Sequence, residues 1–86
     1  MTRHRIEISR TAEKQLKKLP RDLQRRLARA MEELGADPHP PGSRKLTGHD
    51  DVYRVRVGTY RVIYSVARRQ LIVIILKRGH RKDVYR

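Results

Sequence analysis

Residues 53–64 read Tyr-Arg-Val-Arg-Val-Gly-Thr-Tyr-Arg-Val-Ile-Tyr, two alternating runs joined by Gly58 and Thr59. A two-residue link that begins with glycine is typical of a tight β-hairpin. If these two residues form the loop, Arg56 faces Arg61 across the hairpin and Arg54 faces Ile63. Because side chains alternate between the two faces of a strand, one face holds only tyrosines and valines. That face is predicted to be the core side: Tyr53, Val55, Val57, Tyr60, Val62 and Tyr64.

The opposite face of this hairpin carries three guanidinium groups, those of Arg54, Arg56 and Arg61. Like charges that face each other across a hairpin are destabilising, and at roughly 5 Å in water their repulsion is about 0.8 kcal/mol. A neutral residue would remove this cost, so a polyanionic ligand is the natural explanation. The alternative is that long arginine side chains splay into solvent on an ordinary exposed sheet face.

The 86-residue chain has a formal net charge of +13, which favours binding to nucleic acid, an anionic membrane surface or an acidic protein. Residues 1–43 carry ten Lys or Arg against six Asp or Glu, whereas residues 44–86 carry twelve against three. The positive charge is therefore concentrated in the half that contains the hairpin. A genomic bias would explain the preference for Arg over Lys, but it explains the shortage of acids less easily.

Several function classes are disfavoured by composition. The chain has no cysteine, which excludes disulfides, thiol nucleophiles and thiolate metal sites and suits a reducing cytoplasm. The four histidines lack the spacing of a metal site, and no glycine-rich loop for a phosphate cofactor is present. The longest apolar run, residues 71–76, is too short to span a membrane. We therefore expect a cytoplasmic protein with no metal, cofactor or membrane partner.

The first half of the chain predicts one strand and two helices. Residues 3–8 alternate as in a half-buried strand, and Ser9 is a plausible N-cap for a helix that runs to Leu19. Pro20 stops this helix and can open the next. Apolar residues then recur at helical spacing until Gly35, which is predicted to be the C′ residue.

Residues 36–48 contain three prolines and two glycines and are predicted to form a loop. Arg44 and Lys45 lie near the end of this loop, beside the hairpin, where they could reach a backbone phosphate. The outer helical faces are also basic, and such a charge run is usually a solvated face. A second polyanion contact there stays open, through Lys14, Lys17, Lys18, Arg21, Arg25, Arg26 and Arg29.

After the hairpin, Arg68 and Arg69 mark a second turn. Residues 70–77 are too uniformly apolar for an edge strand, so we expect a central strand covered on both faces. The order β-α-α-β-β-β predicts one α+β domain over residues 1–86. In it, a two-helix hairpin packs on a mostly antiparallel four-stranded sheet.

Three stretches together resemble the RelE toxins of the RelE/ParE superfamily. They are residues 53–64, the apolar strand with Gly-His-Arg-Lys-Asp-Val-Tyr at 79–85, and Arg-Thr-Ala-Glu-Lys-Gln-Leu-Lys-Lys-Leu at 10–19. The resemblance implies a RelE-like microbial ribonuclease toxin fold and a type II toxin that cuts mRNA in the ribosomal A site. It also implies a RelB-like antitoxin, whose complex with the toxin binds operator DNA.

The expected reaction is attack of a ribose 2′-OH on the adjacent phosphate, which leaves a 2′,3′-cyclic phosphate and a 5′-OH. Carried over by position, the late arginine and the late tyrosine of the family fall on Arg81 and Tyr85. The family's arginine after the hairpin turn falls on Arg61. We therefore assign Arg61 and Arg81 to the scissile phosphate and Tyr85 to base stacking or proton transfer. His80, from the few acid–base groups near the hairpin, is the reserve acid–base candidate.

The family's basic strand pair falls on Arg54 and Arg56, which are assigned to electrostatics and RNA positioning with Arg44 and Lys45. RelE proteins often have lysines at this pair, which could act as a base. Arginine does not readily lose its proton because its pKa is above about 12, so the general base stays open.

Three other functions remain open from the sequence. The ParE branch shares the fold but inhibits DNA gyrase and has no nuclease activity. A non-catalytic nucleic-acid-binding module would show steep salt dependence without cutting message. The third is a degenerate toxin, retained only as the repressor partner of its antitoxin.

Overall fold

The computed structural model describes residues 4–46, 48 and 50–78, which form two helices and one five-stranded sheet. The strand order is β1-β5-β4-β3-β2, with β1 parallel to β5 and the other neighbours antiparallel. The predicted α+β class with a mostly antiparallel sheet is confirmed. The elements are β1 Arg5–Ile8, α1 Arg10–Lys17, α2 Arg21–Ala36, β2 Arg44–Lys45, β3 Val52–Val57, β4 Tyr60–Ala67 and β5 Gln70–Arg78.

The sheet has one strand more than the four predicted. Strand β2 lies inside the segment predicted to be a loop and pairs with β3, Arg44 opposite Arg54 and Lys45 opposite Tyr53. The amide of Leu46 extends the pairing by donating to the carbonyl of Val52 at 2.9 Å. A two-residue strand is too short to leave an alternating pattern in the sequence, so tertiary pairing alone reveals it.

The hairpin of β3 and β4 has the predicted register, with Arg56 opposite Arg61 and Arg54 opposite Ile63. Gly58 has a φ of 62° at the turn, a conformation that glycine adopts without steric cost. The predicted core face is also confirmed, since Val62 and Tyr64 are fully buried. The core consists of Ala12, Leu27, Met31, Leu34, Val62, Tyr64, Leu71, Val73 and Leu76.

Helix α1 begins as predicted, because the side chain of Ser9 accepts a hydrogen bond from the amide of Ala12 at 3.0 Å. It ends at Lys17, two residues before Leu19. The amide of Leu19 donates to the carbonyl of Leu16 at 3.1 Å, a bond to the third residue back that tightens the last turn.

The prediction that Gly35 terminates α2 is wrong, because the helix continues to Ala36 and Gly35 is buried within it. A Cβ atom at Gly35 would lie 2.9 Å from Cδ1 of Ile6 and 3.3 Å from the carbonyl oxygen of His4. The amide of His4 donates to the Gly35 carbonyl at 2.8 Å. Glycine therefore permits the close approach of β1 to α2 rather than a helix stop.

Strand β5 is central, as predicted, since it lies between β1 and β4. Ile63 pairs with Ile75 but Tyr64 pairs with Val73, so Ile74 is the extra residue of a β-bulge. Ile74 is 37% exposed and the side chains of Ile72 and Ile75 are only half-buried. The predicted coverage of both faces is thus incomplete among the described residues, because both helices pack on one side.

Side chains of α1 and its N-cap cover the edge of β5 beyond the end of β1. The hydroxyl of Ser9 donates to the carbonyl of Ile74. The side-chain oxygen of Gln15 accepts from the amide of Leu76 at 2.8 Å. These two bonds satisfy backbone groups that no strand pairs, and they hold the segment that carries Lys77.

Candidate nucleic-acid interface

The sheet face that carries no helix gathers cations from four strands. Arg56, Arg61 and Lys77 are directly opposite one another across β3, β4 and β5. In the next row, Arg44 is opposite Arg54, which is opposite Ile63. We call these five side chains the cationic face: Arg44, Arg54, Arg56, Arg61 and Lys77.

The cationic face has no carboxylate partner in the described part of the chain. Between residues placed by the structure, the one ion pair within 4 Å joins Glu13 and Lys17 on α1, at 3.8 Å. The repulsion within the row Arg56, Arg61 and Lys77 is therefore not offset by an ion pair with any acid of the described residues. A bound polyanion would remove it, and phosphate suits the planar donor fork of arginine.

Partial burial restrains two of these cations. Arg54 and Arg61 are half-buried, whereas Arg44, Arg56 and Lys77 are exposed. Aliphatic stems that lie along a sheet leave the charged heads at the surface. The Arg56 Nε donates a long hydrogen bond to the Gly58 carbonyl at 3.4 Å, which turns this guanidinium towards the hairpin loop.

Lys77 is a member of the face that the sequence did not reveal. Counting back from the Arg68-Arg69 turn in a regular hairpin would place Leu76 opposite Arg61. The bulge at Ile74 advances the register by one residue and places Lys77 there instead. Nothing in the uniformly apolar run of residues 71–76 marks a bulge, so no sequence signal identified this lysine.

The other proposed site residues fall in two groups. Lys45 pairs with Tyr53, a core-face residue, and so lies on the side of the sheet opposite to Arg44. The structure therefore does not bring Lys45 to the cationic face. His80, Arg81 and Tyr85 lie outside the described residues.

A buried tyrosine positions the loop that leads into β2. The Tyr64 hydroxyl donates to the carbonyl of Pro38 at 2.7 Å. Burial raises the pKa of Tyr64, the charges of Tyr53 and Asp37 add to the rise, and a hydrogen bond with Ser43 opposes it. The Tyr53 ring stacks on Tyr64 at 6.0 Å. This anchoring places Arg44 beside Arg54.

A basic groove adjoins the cationic face at the edge of β3. It has a volume of about 370 Å³ and is lined by Arg26, Arg29 and Glu33 of α2 together with Arg56. The Arg26 guanidinium lies over the hairpin loop, 3.7 Å from where a Cβ of Gly58 would stand. Positive charge therefore continues around the sheet edge onto α2.

Two kinds of site are not found among the residues that the structure places. No three His, Cys, Asp or Glu side chains there are grouped to hold a metal ion. Neither of the two helices is long and apolar enough to cross a membrane.

Comparison with known proteins gives a consistent set of relatives. The family model for the ParE toxin of the type II toxin–antitoxin system parDE matches residues 6–85. The chain is 36% identical over 84 residues to a Methanocaldococcus jannaschii protein named RelE1, covering 94% of this chain and 93% of that one. It is 34% identical over 85 residues to toxin RelG of Mycobacterium tuberculosis, covering 94% of each.

Solved structures extend the similarity to the backbone. The RelE–RelB complex of Pyrococcus horikoshii contains a chain that matches with a TM-score of 0.82 at 35% identity, covering 94% of this chain and 99% of that one. The isolated Escherichia coli RelE toxin matches with a TM-score of 0.79 at 24% identity, covering 95% and 90% respectively. The second match is a likeness of fold.

Proposed function

This chain belongs to the RelE/ParE superfamily of type II toxin–antitoxin toxins, as a RelE-like toxin, and from that membership we propose that it is a ribosome-dependent endoribonuclease. It would cleave mRNA in the ribosomal A site, in the cytoplasm, and so inhibit translation. The observation that carries the proposal is the row of Arg56, Arg61 and Lys77, which no carboxylate of the described residues neutralises. A message backbone is the polyanion that this toxin class would place there.

The proposed reaction needs little more than positioning and charge. The ribose 2′-oxygen forms a bond to the adjacent phosphorus while the bond from phosphorus to the 5′-oxygen breaks. The 2′-proton passes to a base and a proton is delivered to the leaving 5′-oxygen, which gives a 2′,3′-cyclic phosphate and a 5′-OH. Arg61 stabilises the extra negative charge on the pentavalent phosphorus centre. Lys77 lies directly opposite Arg61 on β5.

The remaining residues of the cationic face hold the message in register. Arg44 and Arg54 form the neighbouring row, which suits contacts to flanking phosphates, and Arg56 extends the charge to the hairpin loop. Arginine does not readily serve as the base because its guanidinium group stays protonated in proteins. We assign proton transfer to Tyr85 with His80 in reserve, and a second phosphate contact to Arg81.

We also propose a RelB-like antitoxin as the partner that inhibits this toxin. The support is that similar solved chains are in RelE–RelB complexes, and that an exposed basic surface favours an acidic, partly disordered inhibitor. Operator DNA would be bound only through that complex.

The test is to map the 5′ ends of messages after brief induction of the toxin. We expect new ends in frame with codons, and only on messages that are being translated. Arg61→Ala and Arg81→Ala should each abolish these ends while the protein stays folded, whereas Lys14→Ala on the outer face of α1 should leave them unchanged. Cleavage retained by both arginine variants would reject the assignment.

A second candidate, inhibition of DNA gyrase without nuclease activity, is favoured by one observation, the match to the ParE family model. Purified protein added to a gyrase supercoiling reaction and to a translating extract distinguishes the two functions. Loss of supercoiling with intact translation would favour the gyrase inhibitor. Blocked translation with new message ends would favour the nuclease.

A further inference from the structure

The turn between β4 and β5 is built from Arg68 and Arg69, and Arg68 is left-handed with a φ of 48°. Gly58 has a φ of 62° in the loop of the other hairpin, where glycine adopts it freely. For an L-residue this conformation costs on the order of 1–2 kcal/mol. Glycine or asparagine would form the turn at lower cost, so arginine here has no explanation in the fold.

An open cavity of about 700 Å³ adjoins this turn and is lined by His4, Arg5, Ala67, Arg68, Arg69 and Gln70. We call it the distal pocket. Three of its lining residues are arginines and none is acidic. The Arg5 amide donates to the Arg69 carbonyl at 2.6 Å, which fixes the turn against β1. The Nδ1 atom of His4 is buried and has no hydrogen-bond partner among the described residues.

The distal pocket lies at the far end of the same sheet face. Arg5 is opposite Gln70, which is opposite Ala67, and this row is on the side that carries Arg61. Arg61 and Ala67 are six residue steps apart along β4, about 20 Å at roughly 3.3 Å per residue. One phosphate cannot reach both ends, whereas a nucleic-acid strand presents phosphates along that whole distance.

We propose that the distal pocket is a second phosphate-binding site, which holds the backbone of an RNA strand at a distance from the cationic face. Arg68 and Arg69 project from a two-residue turn, and Arg5 flanks them on β1. Three guanidinium groups with no acidic side chain among the described lining residues favour phosphate oxygens, which accept bidentate hydrogen bonds from guanidinium. That the ligand is RNA rests on the function proposed above, whereas the preference for phosphate rests on the pocket alone.

The test is a fluorescence-anisotropy titration of the full chain against a labelled 20-nucleotide RNA at several salt concentrations. The variant is Arg68→Asn combined with Arg69→Gln, because asparagine tolerates the left-handed region. Log affinity falls as log salt rises, and two lost contacts to single-stranded RNA should make this slope shallower by about 1.4. Binding should weaken up to about 25-fold at 0.1 M salt. Its thermal unfolding midpoint should not fall, since the turn is relieved of strain.

The matched control is Lys14→Gln combined with Lys18→Gln, which removes the same charge from the exposed outer face of α1 and from its C-cap. It should keep the wild-type slope, because we interpret the outer face of α1 as a solvated surface on the helical side of the sheet. An equal reduction of the slope in both double variants would mean that RNA responds to the net charge of the protein rather than to a binding site, and would overturn the proposal. An unchanged slope in the turn variant would also overturn it. If the turn variant binds polyglutamate more weakly but RNA as well as the wild type does, the ligand of the distal pocket is an acidic polypeptide rather than RNA, and the proposal is overturned.

The nuclease assignment and the distal pocket can fail separately. If wild-type protein cuts no message but the turn variant shows the reduced slope, the pocket stands and the nuclease assignment falls. If message is cut and the slope is unchanged, only the pocket falls. A wild-type chain with no salt-dependent affinity for RNA would overturn both.

Discussion

At the scale of single residues, Tyr64 links the core to the candidate interface. Its side chain is fully buried, yet its hydroxyl reaches the carbonyl of Pro38 in the loop before β2. The same loop ends at Arg44, which pairs with Arg54 on the cationic face. One buried hydrogen bond therefore contributes both to stability and to the placement of a charged side chain.

Tyr64→Phe should lower the free energy of unfolding by roughly 1–2 kcal/mol at neutral pH, because the Pro38 carbonyl loses its partner. The wild-type protein should also lose stability above pH 10, the ordinary pKa of tyrosine, because burial raises the pKa of Tyr64 in the folded state. Such a group contributes stability that is fully present below the unfolded pKa and is lost as pH rises through the folded pKa.

Urea denaturation of both proteins between pH 8 and about pH 11 measures this effect, since other titrating groups cancel in the comparison. The stability difference between wild type and Tyr64→Phe should shrink as the pH rises above 10, the unshifted value for this tyrosine. A constant difference over the whole range would contradict the buried, proton-retaining hydroxyl.

At the scale of elements, the hairpin and the bulge show which features can be predicted from the sequence and which cannot. Gly58 and Thr59 define a two-residue loop, and loop length fixes the register of a hairpin, so the facing of Arg56 and Arg61 was predictable. At the bulge, β5 is instead held by the Ser9 hydroxyl, which donates to the Ile74 carbonyl, and by the Gln15 side-chain oxygen, which accepts from the Leu76 amide. Both residues are distant from β5 in the sequence. The sequence therefore predicts the three arginines that the hairpin contributes to the cationic face, and Arg44 beside the hairpin, but not Lys77.

Two smaller features also depend on contacts between residues that are distant in the sequence. The strand β2 is only two residues long, so pairing with β3 determines it and no periodicity signals it. A glycine at position 35 is typical of a helix stop, but its close approach to Ile6 results from tertiary packing. Local patterns were sufficient where local chemistry decides the geometry, and they were insufficient where α1, α2 and β5 act on one another.

Arg61→Gln should make the fold more stable at low salt, because Arg61 stands between Arg56 and Lys77. We expect a gain of about 0.5–1 kcal/mol in the free energy of unfolding at 20 mM salt. The gain should decline towards zero near 1 M salt, where the Debye length is about 3 Å. The same variant should lose the proposed cleavage activity, so stability and activity change in opposite directions.

Urea titrations at several salt concentrations measure this gain, and Lys45→Gln in β2 is the control. Lys45 is exposed and lies opposite Tyr53 rather than a cation, so its variant should show little salt-dependent gain. A loss of stability in Arg61→Gln at low salt would mean that the Arg61 guanidinium is stabilised within the fold. The polyanion interpretation of the cationic face would then be wrong.

At the scale of the whole molecule, the net charge of +13 lies on a chain of 86 residues. Part of this charge lies on the open sheet face, in the distal pocket and in the groove beside α2. Such a charge keeps a protein soluble but destabilises its compact state through self-repulsion. A bound polyanion should therefore stabilise the protein by specific contacts and also by neutralisation.

A 20-nucleotide RNA should raise the thermal unfolding midpoint of the protein at low salt. At a free RNA concentration of about 100 times Kd, binding to the folded state alone contributes roughly 2.7 kcal/mol. For a protein of this size that corresponds to a rise on the order of 10–20 °C. Calorimetry or a circular dichroism melt measures the midpoint, and an oligonucleotide of the same sequence with an uncharged methylphosphonate backbone is the control.

Because the stabilisation comes from phosphate charge, the control should shift the midpoint little, and the RNA effect should largely vanish in 0.5 M salt. Equal shifts from the charged and uncharged strands would mean that base contacts dominate, and the electrostatic account of this protein would be wrong.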